Sequence, residues 1–165
     1  MLRGTVIDLR RGLDYLETRK ECDPKRLGYL GFSFGGFIGS LLAGVDHRVQ
    51  ATVLVVSGAD WRLFIEMSDA LLPIETNPAA AEHAVEVLDR VDPKRWVGRI
   101  SPRPVMMVWG DEDTAIPPAV ARALHHAANE PKTVLRFHGG HLLERLDEQA
   151  RVFDAINRWL DAHVA

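Results

Sequence analysis

The chain has 165 residues, of which 47% are hydrophobic and 26% charged, with 13 glycines, 9 prolines and a formal net charge of −3. These proportions are those of a globular domain and exclude disordered or collagen-like classes, and the slight acidity leaves no basic surplus to condense on nucleic acid or an anionic membrane, so neither partner is expected. Cys22 stands alone and has no second thiol with which to close an internal disulfide, which suits a reducing compartment and makes the cytoplasm the expected location.

The charges of Met1-Leu2-Arg3-Gly4-Thr5-Val6-Ile7-Asp8 come too early for a signal peptide. Val6, Leu9, Leu13 and Leu16 recur at spacings of three and four and predict an opening helix that Thr5 could cap. Cys22-Asp23-Pro24-Lys25 breaks it, and Arg26 to Gly31 is a short run bounded by turn residues, as a buried strand is. From Gly35 to Ala43 the residues are small and apolar, which predicts a helix packed closely under that strand.

Further strands are predicted at Ala51 to Val56, Pro104 to Trp109 and Thr133 to Phe137. Continuous apolar runs separated by helical segments indicate a parallel sheet covered on both faces. Helices are expected from Pro117 to Ala128 and from Glu148 to His163, the second presenting Val152, Phe153, Ile156, Trp159, Leu160 and Val164 on one face. No run reaches the roughly 20 apolar residues of a membrane helix.

The fold class is therefore α/β: one domain over residues 1–165, with about four parallel strands flanked by helices. A long insertion follows the second strand, over residues 58–100, and carries Trp61, Phe64, Met67, Leu71, Leu72, Val85, Leu88, Val91 and Trp96. Such excursions tend to be lids, so a cap over the site is expected. Asp-Pro-Lys-Arg occurs at Asp23 and again at Asp92 without flanking similarity, which reads as shared turn chemistry and not as a repeat.

Gly31-Phe32-Ser33-Phe34-Gly35 has the Gly-x-Ser-x-Gly spacing of a nucleophile elbow, where a strand turns sharply into a helix with Ser at the tip. A serine hydroxyl needs a histidine to take its proton and an acid to orient that histidine. Both follow predicted strands: Asp111, Glu112 and Asp113 after the third, His138 and His141 after the fourth. His47, His83, His163 and the pair His125-His126 lack trustworthy metal-ligand spacing, so neither a metal nor a cofactor is expected.

The order Ser, Asp, His in this setting resembles the α/β-hydrolase family, in particular its dienelactone-hydrolase-like and esterase members and the catalytic domains of prolyl-oligopeptidase type. The resemblance implies Asp113 over Asp111 as the acid and His141 over His138 as the base, with Ser33 as the nucleophile and the Phe34 N–H as an oxyanion donor. Phe32, Trp61 and Phe64 are the expected pocket residues. The implied activity is hydrolysis of a small carboxylic ester through an acyl-enzyme, with peptidase or acyltransferase chemistry and a catalytically weak interaction module as alternatives.

In the family the elbow follows more strands than precede it here, so a truncated fold is expected, lacking the loop that supplies a second oxyanion donor. The elbow strand then becomes an open edge, and homo-oligomerisation or another association through that edge is expected.

Overall fold

The computed structural model describes residues 2–69 and 77–164; Met1 and the insertion residues Leu71 and Leu72 lie outside the described residues. In chain order the elements are α1 (Leu2–Glu17), β1 (Gly28–Phe32), α2 (Phe34–Val45), β2 (Ala51–Val55), α3 (Trp61–Met67), α4 (Pro78–Leu88), β3 (Val105–Gly110), α5 (Pro118–Ala127), β4 (Lys132–Phe137) and α6 (Leu146–Val164). Short 3-10 turns at Asp89–Val91, Pro93–Arg95 and Val97–Ile100 connect α4 to β3.

All strand pairs are parallel, in the order β1-β2-β3-β4, with Gly28 opposite Ala51, Val53 opposite Met106 and Gly110 opposite Phe137. The two inner strands are buried along their whole length, as their largely apolar sequences require. One sheet face is covered by α2 and α5, where Leu42, Leu54, Val105, Met107 and Leu124 share a core with Val97 and Ile100 of the last 3-10 turn. Val6, Leu9 and Leu13 of α1 pack against that core from outside. The other face is covered by α6, whose Val152 and Ile156 meet Val53, Val55, Met106 and Val108.

Some expectations need correction. The first helix already runs from Leu2, so Thr5 lies within it and not at its cap. Phe153 is exposed and does not share the buried face of α6, because Val152 and Ile156 already fill the space above β2 and β3. The first strand is not buried along its length. It forms the edge of the sheet, with only Gly31 fully enclosed. Leu27 O and Ser33 N both bond toward β2, so the intervening Gly28, Leu30 and Phe32 direct their backbone groups outward, and the side chains of Leu30 and Phe32 are exposed. α6 reaches this edge at Gly28, which faces Leu160 and Val164.

The C-terminal end of α2 is fixed by charge. Asp46 is buried and accepts from Arg48 Nη2 at 2.7 Å and from Arg10 Nε of α1 at 3.0 Å, while Arg48 also bonds Asp14 and Glu17 of α1. The Arg48 guanidinium holds the Asp46 carboxyl well below the usual carboxylate range, against the opposing effect of burial. Arg103 donates to the carbonyls of Ala43 and Asp46 at the end of α2 and of Val49 in the turn beyond it.

The two described ends of the insertion are tied to each other through Asp92. Asp92 is buried and accepts from the N–H groups of Asp60, Trp61 and Lys94 at 2.9–3.0 Å, tying the start of α3 to the 3-10 turns. The two Asp-Pro-Lys-Arg segments do share turn chemistry: Asp23 and Asp92 each accept from the N–H two residues on, at 2.9 Å. Among the described residues no helix is long and apolar enough to cross a membrane.

Candidate active site

The carboxyl ends of β1, β3 and β4 converge on one side of the sheet, and each delivers one side chain. Ser33 follows β1 directly and holds φ 53°, ψ −116°, a backbone region that non-glycine residues seldom occupy. Its N–H still donates to Val55 O at 2.8 Å, so the strand ladder continues through the residue that makes the turn. The elbow is tight at Gly31, where a Cβ would stand 2.3 Å from Gly35 O. It is tight again at Gly36, where a Cβ would stand 2.4 Å from the Cβ of Ser57.

Gly35 is not crowded in this way: a Cβ there would meet nothing nearer than the Tyr29 hydroxyl at 3.9 Å. Steric demand therefore falls on the first and last glycines of Gly31-x-Ser33-x-Gly35-Gly36, because the start of α2 closes on β1 at Gly31 and Ser57, just beyond β2, closes on Gly36. The Tyr29 hydroxyl donates to Gly35 O at 2.7 Å and props the turn from below, a role that a tyrosine four residues before the serine does not announce. Burial raises the Tyr29 pKa, which keeps that donor proton in place.

His141 Nε2 lies 2.8 Å from Ser33 Oγ, and His141 Nδ1 lies 2.8 Å from Asp113 Oδ2. The other carboxylate oxygen of Asp113 accepts from Ile116 N–H at 2.7 Å, and Ile116 is itself buried against Phe37, Phe64 and Val120. The acid is therefore held at both oxygens in a site it barely shares with solvent: its side chain is 1% exposed, against 20% for His141. With Nδ1 donating to the carboxylate, Nε2 is free to accept the Ser33 proton. The loop after His141 is anchored by Leu143, buried under α6, and by Gln149 Nε2, which donates to Leu143 O at 2.6 Å.

Phe34 is the first residue of α2, so its N–H has no carbonyl one turn back and lies at the positive end of the helix. The exposed Phe32 ring meets the His141 ring edge-on, with centroids 5.8 Å apart. The other two expected pocket residues are placed differently. Trp61 and Phe64 are 7% and 9% exposed, and Trp61 stacks on Phe37 with centroids 5.0 Å apart. They seat α3 on α2 and offer little surface to a substrate, because large rings on an amphipathic helix are first claimed by the core.

The described part of the insertion adjoins the acid loop. Asp69 N–H donates to Thr114 O at 3.2 Å, and Ser68 Oγ to Ala115 O at 2.5 Å. Asp111 and His138, the acid and base that the resemblance passes over, form a second pair: His138 Nδ1 lies 3.2 Å from Asp111 Oδ1. Among the described residues no cluster of His, Cys, Asp and Glu is arranged to hold a metal ion.

The model of the prolyl oligopeptidase family, Peptidase_S9, matches residues 3–165. The chain belongs to this family of α/β hydrolases. Among its curated relatives, YfhR of Salmonella typhi is 27% identical over 139 residues, which cover 78% of this chain and 44% of that protein. The uncharacterized peptidase YuxL of Bacillus subtilis is 27% identical over 152 residues, covering 86% and 23%. The chain thus spans less than half the length of these relatives. In structure it is similar to the acetyl xylan esterase from Paenibacillus sp. R4, with a TM-score of 0.83 and 25% identity over 96% of this chain and 52% of the other. The acylaminoacyl peptidase of Pyrococcus horikoshii shares the fold, with a TM-score of 0.75 at 16% identity over 92% of this chain and 26% of the other.

Proposed function

We propose that the chain carries the nucleophile, base and acid of a serine hydrolase that cleaves carboxylic esters through an acyl-enzyme. The observation that supports this reading most directly is the unbroken hydrogen-bonded line from Ser33 Oγ through His141 to Asp113, with both links at 2.8 Å. The similarity to an acetyl xylan esterase adds to it.

In this reading Ser33 Oγ attacks the ester carbonyl as its proton passes to His141 Nε2, and Asp113 stabilises the imidazolium. The Phe34 N–H donates to the oxyanion. Collapse of the tetrahedral adduct breaks the bond to the alkoxy oxygen, which leaves as the alcohol with the proton from His141. Water then adds to the acyl-enzyme by the same proton path and releases the acid.

Labelling by a fluorophosphonate probe, with Ser33→Ala as the control, tests the reading. A covalent adduct on the folded chain that disappears in Ser33→Ala is expected. A folded chain that takes no label would instead favour an interaction module. Amide cleavage is the second reading, favoured by the family match and the peptidase neighbour; hydrolysis of p-nitrophenyl acetate compared with aminoacyl p-nitroanilides separates the two.

A further inference from the structure

We infer that Asp111, together with His138, is a positioning residue that sets the spacing between the loop carrying Asp113 and the loop carrying His141. The two loops leave neighbouring parallel strands, and Gly110 opposite Phe137 is the last paired position of β3 and β4. Beyond that pair the strands are free to splay, and Asp113 must still meet His141 at 2.8 Å.

A lattice of cross-loop bonds extends the ladder. Asp111 N–H donates to Phe137 O and Glu112 N–H to Gly139 O, each at 3.1 Å. The Asp111 carboxylate completes the lattice from the acid loop. Its Oδ1 accepts from Gly139 N–H at 3.2 Å and faces His138 Nδ1 at the same distance. His138 Nε2 stands 3.7 Å from Glu112 Oε1, so the ring is bracketed by two carboxylates of the opposite loop. The backbones are pressed together here: a Cβ on Gly110 would stand 2.3 Å from Gly139 O, and Gly139 itself holds φ 150°.

From this clamp the chain runs two residues on one side to Asp113 and two residues on the other to His141. Over so short a tether, a change in spacing at the clamp is carried to the Asp113–His141 bond. Neither Asp111 nor His138 bonds Ser33, and His138 is half exposed, so their action passes through the loops. An exposed pair of this kind adds little to global stability, which separates a positioning role from a structural one.

The rate consequence rests on the serine-hydrolase reading, but the geometry does not, and the experiment keeps them apart. The downfield proton signal of His141 Nδ1–H, followed by NMR in the whole chain, reports its bond to Asp113 with or without turnover. Asp111→Ala is expected to shift or broaden that signal and to slow fluorophosphonate labelling about tenfold, as misplaced catalytic groups do, with the melting temperature nearly unchanged. Asp111→Asn retains an acceptor for Gly139 N–H and is expected to restore most of both. His138→Ala, which spares that bond, is expected to have a smaller effect. An unchanged His141 signal in Asp111→Ala overturns the inference, as does failure of Asp111→Asn to rescue it. A wild-type chain that takes no label overturns the hydrolase reading alone, and the NMR comparison still decides the role of Asp111.

Discussion

Two aspartate–histidine couples occupy the same pair of loops, two or three residues apart, and they differ in almost everything except composition. Asp113 and His141 meet at 2.8 Å with side chains 1% and 20% exposed, whereas Asp111 and His138 stand at 3.2 Å with side chains 35% and 53% exposed. The inner couple is held by buried neighbours, through the Ile116 N–H on one side and Leu143 on the other. The outer couple faces solvent and is held mainly by the backbone. Residue type alone thus assigns no role; desolvation and a third partner do. Electrostatic interactions gain strength where water is excluded, so the inner couple is suited to stabilise a charge that comes and goes, and the outer couple is suited to hold a distance.

The largest expected difference between the couples comes from removing the charge and keeping the shape. Asp113→Asn should lower the labelling or ester-cleavage rate by about four orders of magnitude, because the imidazole is then held in the wrong tautomer. Asp111→Asn should change it less than about threefold. Stopped assays on the two variants side by side give the ratio, and equal losses would erase the distinction drawn between them.

The inner couple also depends on an elbow that keeps Ser33 within reach. Gly36→Ala places a methyl group against Ser57 in a buried turn and should cost about 1–3 kcal/mol by overpacking, whereas Gly35→Ala meets open space and replaces a helical glycine, for a gain of up to about 1 kcal/mol. Urea denaturation curves of the two variants should fall on opposite sides of the wild type.

Acid titration extends the contrast to a carboxylate outside the site. Asp46 has its folded pKa depressed by Arg48, with Arg10 assisting against burial. Its contribution to stability is therefore present above the unfolded value of about 3.9 and drains away as pH falls through the lower folded value. The melting temperature of Asp46→Asn should lie below that of the wild type at neutral pH and converge on it below about pH 4. For Asp111, partial desolvation opposes the shift, and the Gly139 N–H and the His138 ring outweigh it; the sign is the same, and the loss on Asp111→Asn should be smaller because the group is more exposed.

The smallest effect is expected at the sheet edge. Self-association through β1 is the corresponding proposal, and Leu30→Lys, which puts a charge on an outward position, should reduce any concentration-dependent rise in sedimentation coefficient without changing the helix content.

Much of this arrangement is legible in the sequence because it depends on local rules. β2 shows as a largely apolar run, and Gly-x-Ser-x-Gly is confirmed by the strand before it and the helix after it. Ser33, Asp113 and His141 sit at strand ends in the order that the family resemblance implies. What escapes reading depends on contacts distant in sequence. Trp61 and Phe64 carry the same apolar signal whether they line a pocket or fill a core, and only their burial against Phe37 and Val120 separates the two. Gly35 and Gly36 are indistinguishable as letters, and Ser57, which makes the second one obligatory, lies more than twenty residues away. Thr5 is a good cap residue placed one turn inside a helix that starts earlier. The partnership of Asp111 with His138 spans 27 residues and has no motif.

The outward side of β1 lies next to Ser33 in the chain itself. Phe32, the last residue with outward-facing backbone groups, is followed at once by Ser33, and the Phe32 ring rests against His141. Any strand that bonds along this edge would end beside Ser33 and could reach the same ring. The border of the sheet is therefore also a wall of the proposed reaction site, and a change in what covers one alters the solvent seen by the other.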